Sequence, residues 1–308
     1  MKIFNSISEL VGNTPLLKIS NYCEKNDIRA NIFVKLEYFN PAGSAKDRIA
    51  KNIIETAEKN GSLKKDSVII EATSGNTGIG IAALASAKGY KTIIVMPENM
   101  SDERKKLMRG FGAELVLTDK ALGMKGATAK AEELKKEIPN AIIAAQFENM
   151  ANPEAHYKTT GPEIWNDTEG KVDIFVAGIG TGGTISGVGK YLKEKNQNIK
   201  IIGAEPFESQ LLTKGEAGPH KIQGIGANFV PNTLNLSIVD EVIPVLSDDA
   251  IVSARELSRA EGALVGISSG AALKAAEIIA KRKENMGKNI VVLLADTGER
   301  YLSTELFA

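Results

Sequence analysis

Apolar residues recur along this chain in short, nearly unbroken runs, separated by longer stretches in which they return at helical spacing. Residues 31–36, 67–72, 92–96, 114–117, 141–147, 172–177, 200–204, 241–245 and 290–294 read as strands, most of them rich in Ile and Val. Between them, a helix opening at Lys46 and the segments 78–88, 101–110, 125–137, 157–165, 184–195, 248–260 and 270–283 read as helices. In the first of these, Ile49, Ala50, Ile53, Ile54 and Ala57 share one face. Ser101 reads as an N-cap to Glu103 and Arg104. Residues 14–19 read as an edge strand, because Pro15 cannot donate to a ladder. Strands that are apolar on both faces and alternate with helices predict an α/β fold of mostly parallel, twisted sheets covered by helices. No repeat of about 20–50 residues is visible, which excludes solenoids and propellers.

Composition narrows the function. At 308 residues the chain accommodates two domains. Its 38 basic and 38 acidic side chains cancel, so no overall field draws it to nucleic acid or to an anionic membrane. The opening residues are interrupted by polar side chains too early for a signal peptide. The apolar stretch 79–87 ends at Lys88, far short of a membrane span. Cys23 is the single cysteine, which excludes an internal disulfide and fits a reducing cytoplasm. His156 and His220 are the only histidines, too few with one cysteine for a zinc site, and both read as structural, as does Cys23. The 29 glycines cluster at strand ends, where loops carry chemistry.

Four loops stand out. Asn40-Pro41-Ala42-Gly43-Ser44-Ala45-Lys46-Asp47-Arg48 is a tight turn running into a helix, with Ser44 and Asp47 spaced like a capping box. It leaves Lys46 in a first turn, where the positive end of the helix dipole favours the neutral amine, a nucleophile toward carbonyls. Thr73-Ser74-Gly75-Asn76-Thr77-Gly78 links a strand to a helix and offers hydroxyls, an amide and outward N–H groups to a carboxylate. Gly178-Ile179-Gly180-Thr181-Gly182-Gly183-Thr184 is a phosphate cradle. It also matches G-x-G-x-x-G, with Glu205 at the end of the next strand, so a dinucleotide oxidoreductase satisfies this loop as well. Gly266-Ile267-Ser268-Ser269-Gly270 is a serine-rich turn before an alanine-rich helix. A dinucleotide enzyme has no use for the lysine turn or the Thr-Ser-Gly-Asn-Thr loop, whereas a pyridoxal phosphate enzyme uses all four.

The ordered set of these motifs resembles the cysteine synthase (O-acetylserine sulfhydrylase) family of fold-type-II, β-family pyridoxal phosphate enzymes, which are tryptophan synthase β-like. The resemblance runs from Val11-Gly12-Asn13-Thr14-Pro15-Leu16 to Gly298-Glu299-Arg300-Tyr301-Leu302-Ser303-Thr304 and includes Gln146-Phe147 with Asn152-Pro153. It implies two domains: a smaller mobile one over 35–145, with 1–12 associated, and a larger one over 13–34 and 146–308. It implies that Lys46 carries the cofactor aldehyde and removes the substrate α-proton. Asn76 would meet the cofactor 3′-oxygen, and Gly180, Thr181, Gly182, Gly183 and Thr184 would hold the phosphate. Ser268 would face the pyridine nitrogen, and Thr73, Ser74, Asn76, Thr77 and Gln146 would bind the substrate carboxylate.

The implied reaction converts O-acetyl-L-serine and sulfide into L-cysteine and acetate through a lysine aldimine and an aminoacrylate. A hydroxyl facing the ring nitrogen makes a weak electron sink, which suits β-elimination. Cystathionine β-synthase and an O-phosphoserine-using relative are the near alternatives. The resemblance further implies a homodimer, and a cleft that receives the C-terminal tail of serine acetyltransferase. Two departures from the family pattern are Asn228, where glycine is usual, and Ala295-Asp296-Thr297 in place of a proline-serine run. Asp296 reads either as an acidic group near the ring-nitrogen end or as a helix cap.

Overall fold

The computed structural model describes residues 3–73 and 75–308. In chain order the elements are β1 (Leu16–Lys18), α1 (Ser20–Lys25), β2 (Asn31–Leu36), α2 (Lys46–Lys59), β3 (Val68–Ala72), α3 (Asn76–Ala87) and β4 (Lys91–Pro97). Then come α4 (Asp102–Gly110), β5 (Glu114–Thr118), α5 (Gly123–Glu137), β6 (Ala141–Ile143), α6 (Ala151–Lys158), α7 (Thr160–Asp167), β7 (Ile174–Gly178) and α8 (Gly183–Lys195). The chain ends with β8 (Lys200–Pro206), α9 (Leu211–Lys214), β9 (Glu241–Val245), α10 (Ser247–Glu261), α11 (Ile267–Ala280) and β10 (Asn289–Leu294), joined in places by short 3-10 turns. Two compact units result: residues up to Val11 with Asn40–Asn152, and Gly12–Phe39 with Pro153–Ala308.

The first unit is built on a parallel sheet of order β5-β4-β3-β6 among the described residues. Alternation along the strands divides its core. Ile70, Ile93 and Val95 pack with Ala127 and Ala131 of α5, whereas Ile94 and Met96 pack with Ile79, Ala82 and Met108 of α3 and α4. The second unit has the order β1-β2-β10-β7-β8-β9, parallel except for β1, which runs antiparallel to β2 at one edge directly after Pro15. Ile290, Val291, Val292 and Leu294 of β10 are fully buried. Each such side chain contributes about 1.5–3 kcal/mol, enough to offset an ordering cost of about 1–2 kcal/mol per residue. Ala271, Ala272, Ala275 and Ala276 bring α11 close to the sheet.

Four expectations are corrected. The single helix over 157–165 is two, α6 and α7, broken at Thr159 (φ −125°, ψ −69°). Pro162 lacks the N–H that a continuous helix would need there and sits instead in the first turn of α7. The strand over 141–147 stops at Ile143, because Ala145 turns left-handed (φ 53°). The helix expected from Gly270 begins at Ile267, which moves Ser268 and Ser269 from a turn into the first helical turn. Ser101 precedes α4 but does not cap it: its buried hydroxyl makes no hydrogen bond.

In the second unit, α8 rests on α6 at Gly187, where an added Cβ would run into the Pro153 carbonyl oxygen and lie 2.8 Å from His156 Cβ. Backbone cannot yield as a side chain can. Gly187→Ala is expected to cost about 1–3 kcal/mol, read as a lower midpoint of thermal or urea unfolding, and an unchanged midpoint overturns this account of the contact.

Candidate active site

The first unit holds Lys46 rigidly at the backbone. Residues 40–43 close a turn through Gly43 N–H to Asn40 O (2.8 Å), with Gly43 at φ 79°. The Asp47 carboxylate reaches back to accept the Ala42 N–H (2.6 Å), and the Lys46 N–H donates to Ser44 Oγ (3.2 Å). The expected capping box does not form: Ala45 is the N-cap and has no side-chain cap bond, and Asp47 instead ties down the turn ahead of Ser44. Lys46 is the first residue of α2 and half-buried. From the other side α3 closes on it: a Cβ on Gly80 would stand 3.1 Å from the Lys46 carbonyl oxygen.

The loop after β3 extends the ladder by one residue, with Thr73 N–H donating to Val95 O (3.0 Å) and Gly75 N–H to Thr73 Oγ1 (3.2 Å). Ser74 lies outside the described residues. The helix begins two residues earlier than its apolar pattern suggests, so Asn76 and Thr77 occupy its first turn, where N–H groups point outward. Thr77 Oγ1 donates to Gln146 Oε1 (2.5 Å), and both side chains are buried. Arg104 of α4 is buried against Gly75, where a Cβ would meet its Nε at 2.8 Å. Thr73, Asn76, Thr77 and Gln146 are thus gathered at one end of the sheet, one helical turn from the Gly80 contact with Lys46.

A residue the sequence reading passed over supports this cluster. Glu71 on β3 is almost wholly buried, and its carboxylate accepts the Ala145 N–H (2.9 Å) and N–H groups from the backbone and side chain of Gln146. Burial pushes this carboxyl up to about 8, against the pull of those donors. A charge inside the apolar run Val68-Ile69-Ile70-Glu71-Ala72 was the available signal.

The second unit carries the glycine loop between β7 and α8. Gly182 is the left-handed N-cap (φ 80°), so the first N–H groups of α8 face outward beside the buried hydroxyls of Thr181 and Thr184. A Cβ on Gly180 would collide with Gly224 O, and one on Gly224 would lie 3.4 Å from Ser268 Oγ. The 180–184 loop, the 224–226 loop and the start of α11 therefore form one cluster, with a bare cradle suited to a phosphate. His156, expected to be structural, is fully buried and hydrogen-bonds Thr160 Oγ1 through Nδ1 (2.9 Å) and Thr184 Oγ1 through Nε2 (3.1 Å). Thr233 donates to Thr181 O (2.6 Å).

The acidic residue of the dinucleotide pattern is otherwise engaged. Glu205 is buried and accepts Leu212 N–H (2.9 Å), Thr213 N–H (3.1 Å) and Thr213 Oγ1–H (2.5 Å) at the start of α9, leaving no carboxylate for a ribose. Asp296 is not a helix cap: it is buried, accepts from Tyr301 OH (2.6 Å), and Thr297 caps the turn that follows. Asn228 adopts the left-handed conformation (φ 62°) that glycine would, and its Oδ1 accepts from Ser209 Oγ (2.8 Å). Cys23 is buried in the core, where desolvation raises its thiol, and His220 Nε2 bonds Gly226 O (3.0 Å).

Fold and loops together define a fold-type-II pyridoxal phosphate enzyme. The chain belongs to the pyridoxal-phosphate dependent enzyme family, whose model matches residues 7–296. A cysteine synthase of Staphylococcus aureus is 52% identical, over 100% of this chain and 98% of the relative. Among solved structures, a cysteine synthase from Entamoeba histolytica superposes with a TM-score of 0.96 at 46% identity, covering 99% of this chain and 91% of that one. A hydrogen sulfide-producing enzyme from Fusobacterium nucleatum superposes at 0.93 with 51% identity, over 97% of this chain and 100% of that one.

The close approach at Gly180 makes a direct prediction. In Gly180→Ala the methyl group displaces the Gly224 carbonyl and with it the Gly226 N–H bond to Ile179 O (3.0 Å). The variant is expected to purify with little bound pyridoxal phosphate, read by visible absorbance, while its circular dichroism stays that of the parent. Unchanged cofactor content overturns the placement of the cradle.

Proposed function

We propose that this protein makes L-cysteine and acetate from O-acetyl-L-serine and sulfide, a β-replacement dependent on pyridoxal phosphate. The observation that carries the reading is the packing of α3 on Lys46. Asn76 and Thr77 open α3, and Gly80, one turn or about 5–6 Å further along, touches the Lys46 backbone. An amino acid whose carboxylate rests on the first turn of α3 brings its Cα within reach of the lysine amine. Full-length likeness to cysteine synthases supports the same reaction.

In this reading Lys46 Nζ holds the cofactor aldehyde and later accepts the substrate α-proton. Thr73, Ser74, Asn76, Thr77 and Gln146 bind the carboxylate, and Asn76 also faces the cofactor 3′-oxygen. Gly180, Thr181, Gly182, Gly183 and Thr184 hold the phosphate, with His156 orienting the Thr184 hydroxyl. Ser268 meets the ring nitrogen as a neutral hydroxyl. When bound, the cofactor would supply an electron sink for Cα, the chemistry that loss of acetate from Cβ requires. A hydroxyl at the ring nitrogen stabilises that charge less than a carboxylate would, which supports elimination over slower carbanion chemistry. The first unit is the smaller, mobile domain of this reading. Resemblance to the family supports a cytoplasmic homodimer and capture of a serine acetyltransferase tail, whose terminal carboxylate imitates that of the substrate. Light scattering, and competition between that tail peptide and O-acetylserine, check these two points.

Lys46→Ala is expected to abolish cysteine formation and the visible absorbance of the lysine-bound cofactor. Borohydride reduction followed by peptide mapping should place the label on Lys46 in the parent. Steady-state assays with O-acetylserine, O-phosphoserine and serine, each with sulfide or homocysteine, test the substrate. Activity confined to homocysteine overturns the reading in favour of cystathionine synthesis.

A further inference from the structure

Glu71 is a buried ionisable group beside the carboxylate loop that the reaction itself leaves unused. It sits two residues before Thr73 on β3, 1% exposed. Its oxygens take the Ala145 N–H (2.9 Å) and both the backbone and side-chain N–H of Gln146. The Gln146 amide is thereby oriented: its nitrogen turns to Glu71, and its Oε1 is left to accept from Thr77 Oγ1 (2.5 Å). Asn152 Nδ2 ties the Gln146 carbonyl from the opposite direction (2.7 Å). Ala145, held at φ 53°, is a non-glycine residue in a conformation that needs such anchoring.

We propose that Glu71 is a positioning residue for substrate: as a carboxylate it holds the 145–146 peptide and fixes which way the Gln146 amide faces, and through that amide it sets the affinity for the amino-acid carboxylate. The proposal rests on the reading of Gln146 as a carboxylate ligand. A protonated Glu71 can no longer accept at every oxygen lone pair; its O–H competes as a donor for the same amide and releases the preferred orientation. The charge on this group changes near working pH, since burial carries its carboxyl up to about 8. Nothing nearby offsets that burial with charge. Glu71 pairs with Ile94 across β4. On its face of the sheet Ile69 packs with Ala50, Ile53 and Ile54 of α2 and with Ile81, Leu84 and Ala85 of α3; α3 has no ionisable side chain, and the buried Asp47 and Arg48 of α2 are not among the groups that shift Glu71. Among the described residues no charged side chain bears on it.

The test is binding without turnover. L-methionine, which has no leaving group at Cβ, is titrated against holoenzyme and followed by the absorbance of the lysine-bound cofactor. Glu71→Gln imitates the protonated acid in shape and charge. Its Kd should match the parent at about pH 6.5 and exceed it by about tenfold at about pH 9, the scale of one lost charge-assisted hydrogen bond. The sign follows from the raised carboxyl: the parent gains affinity relative to the variant as pH rises through about 8, where Glu71 loses its proton. The substrate amine titrates identically in both proteins and cancels in the ratio. Gln146→Ala should weaken binding at both pH values, and Glu71→Gln combined with Gln146→Ala should add nothing to it. A Kd ratio that stays flat with pH, or full additivity in the double variant, overturns the role of Glu71 while leaving the carboxylate loop intact. If Gln146→Ala binds like the parent, the reading of Gln146 itself falls, and this proposal with it.

Discussion

The organisation of the first unit depends on one close approach, the passage of α3 across the Lys46 backbone at Gly80. With a Cβ there the neighbouring atoms would stand at 3.1–3.3 Å, tighter than packed interiors ordinarily tolerate. The contact does two things at once. It fixes the start of α2 in space, and it sets the distance between the lysine and the first turn of α3. The side chain of Lys46 is flexible, so its reach is useful only if its Cα is held. Backbone and side-chain bonds within residues 40–47, with Asp47 at their centre, supply the rest of that hold. The backbone of Lys46 is placed by the packing of its neighbours.

The second unit uses the same device for a different purpose. Gly180 lets the 224–226 loop lie directly on the cradle, and Gly187 lets α6 lie on α8. That second contact brings His156 to Thr184, so a structural glycine one turn into the helix determines the surroundings of a hydroxyl at its start. Close helix packing and the chemistry of the loop are therefore coupled. A change at Gly187 disturbs the imidazole before it disturbs the phosphate loop.

Much of this was legible in the sequence, and the reasons differ by residue. β2 and β9 match their expected spans to the residue because each is a short run centred on Ile and Val with a charged residue next to it, Glu37 after β2 and Asp240 before β9. Lys46 and the 180–184 loop were found because glycine and proline mark turns whatever the tertiary context. What escaped was decided by tertiary contacts. The start of α11 was read from its alanines, but Gly266 ends the preceding loop and Ser269 reaches out to the Ala295 N–H (2.9 Å), so the serines belong to the helix. The early end of β6 depends on Glu71, which takes the Gln146 N–H that the ladder would have used next after Ala144 N–H to Ile70 O. The contact of His156 with Thr184 escaped because nothing local links the two, 28 positions apart.

Three buried charges show how an interior charge acquires a function or loses one. Lys35 on β2 is fully buried, yet it meets Glu163 and Asp167, each at 3.0 Å, and donates to Thr14 O (2.6 Å). Opposite charge compensates it, and it acts as a tie between segments. Glu205 is satisfied by the N–H groups that open α9, so its charge is spent on a helix terminus. Glu71 has only neutral amides for company. Amide donors recover part of the desolvation cost of a carboxylate but less than a counter-ion would, which is why its carboxyl is driven up to about 8. A group in that condition is expensive to keep and simple to replace with a neutral residue. Its presence beside the loop that opens α3 is accounted for if the charge itself is used, and the amide it grips is the one that meets Thr77.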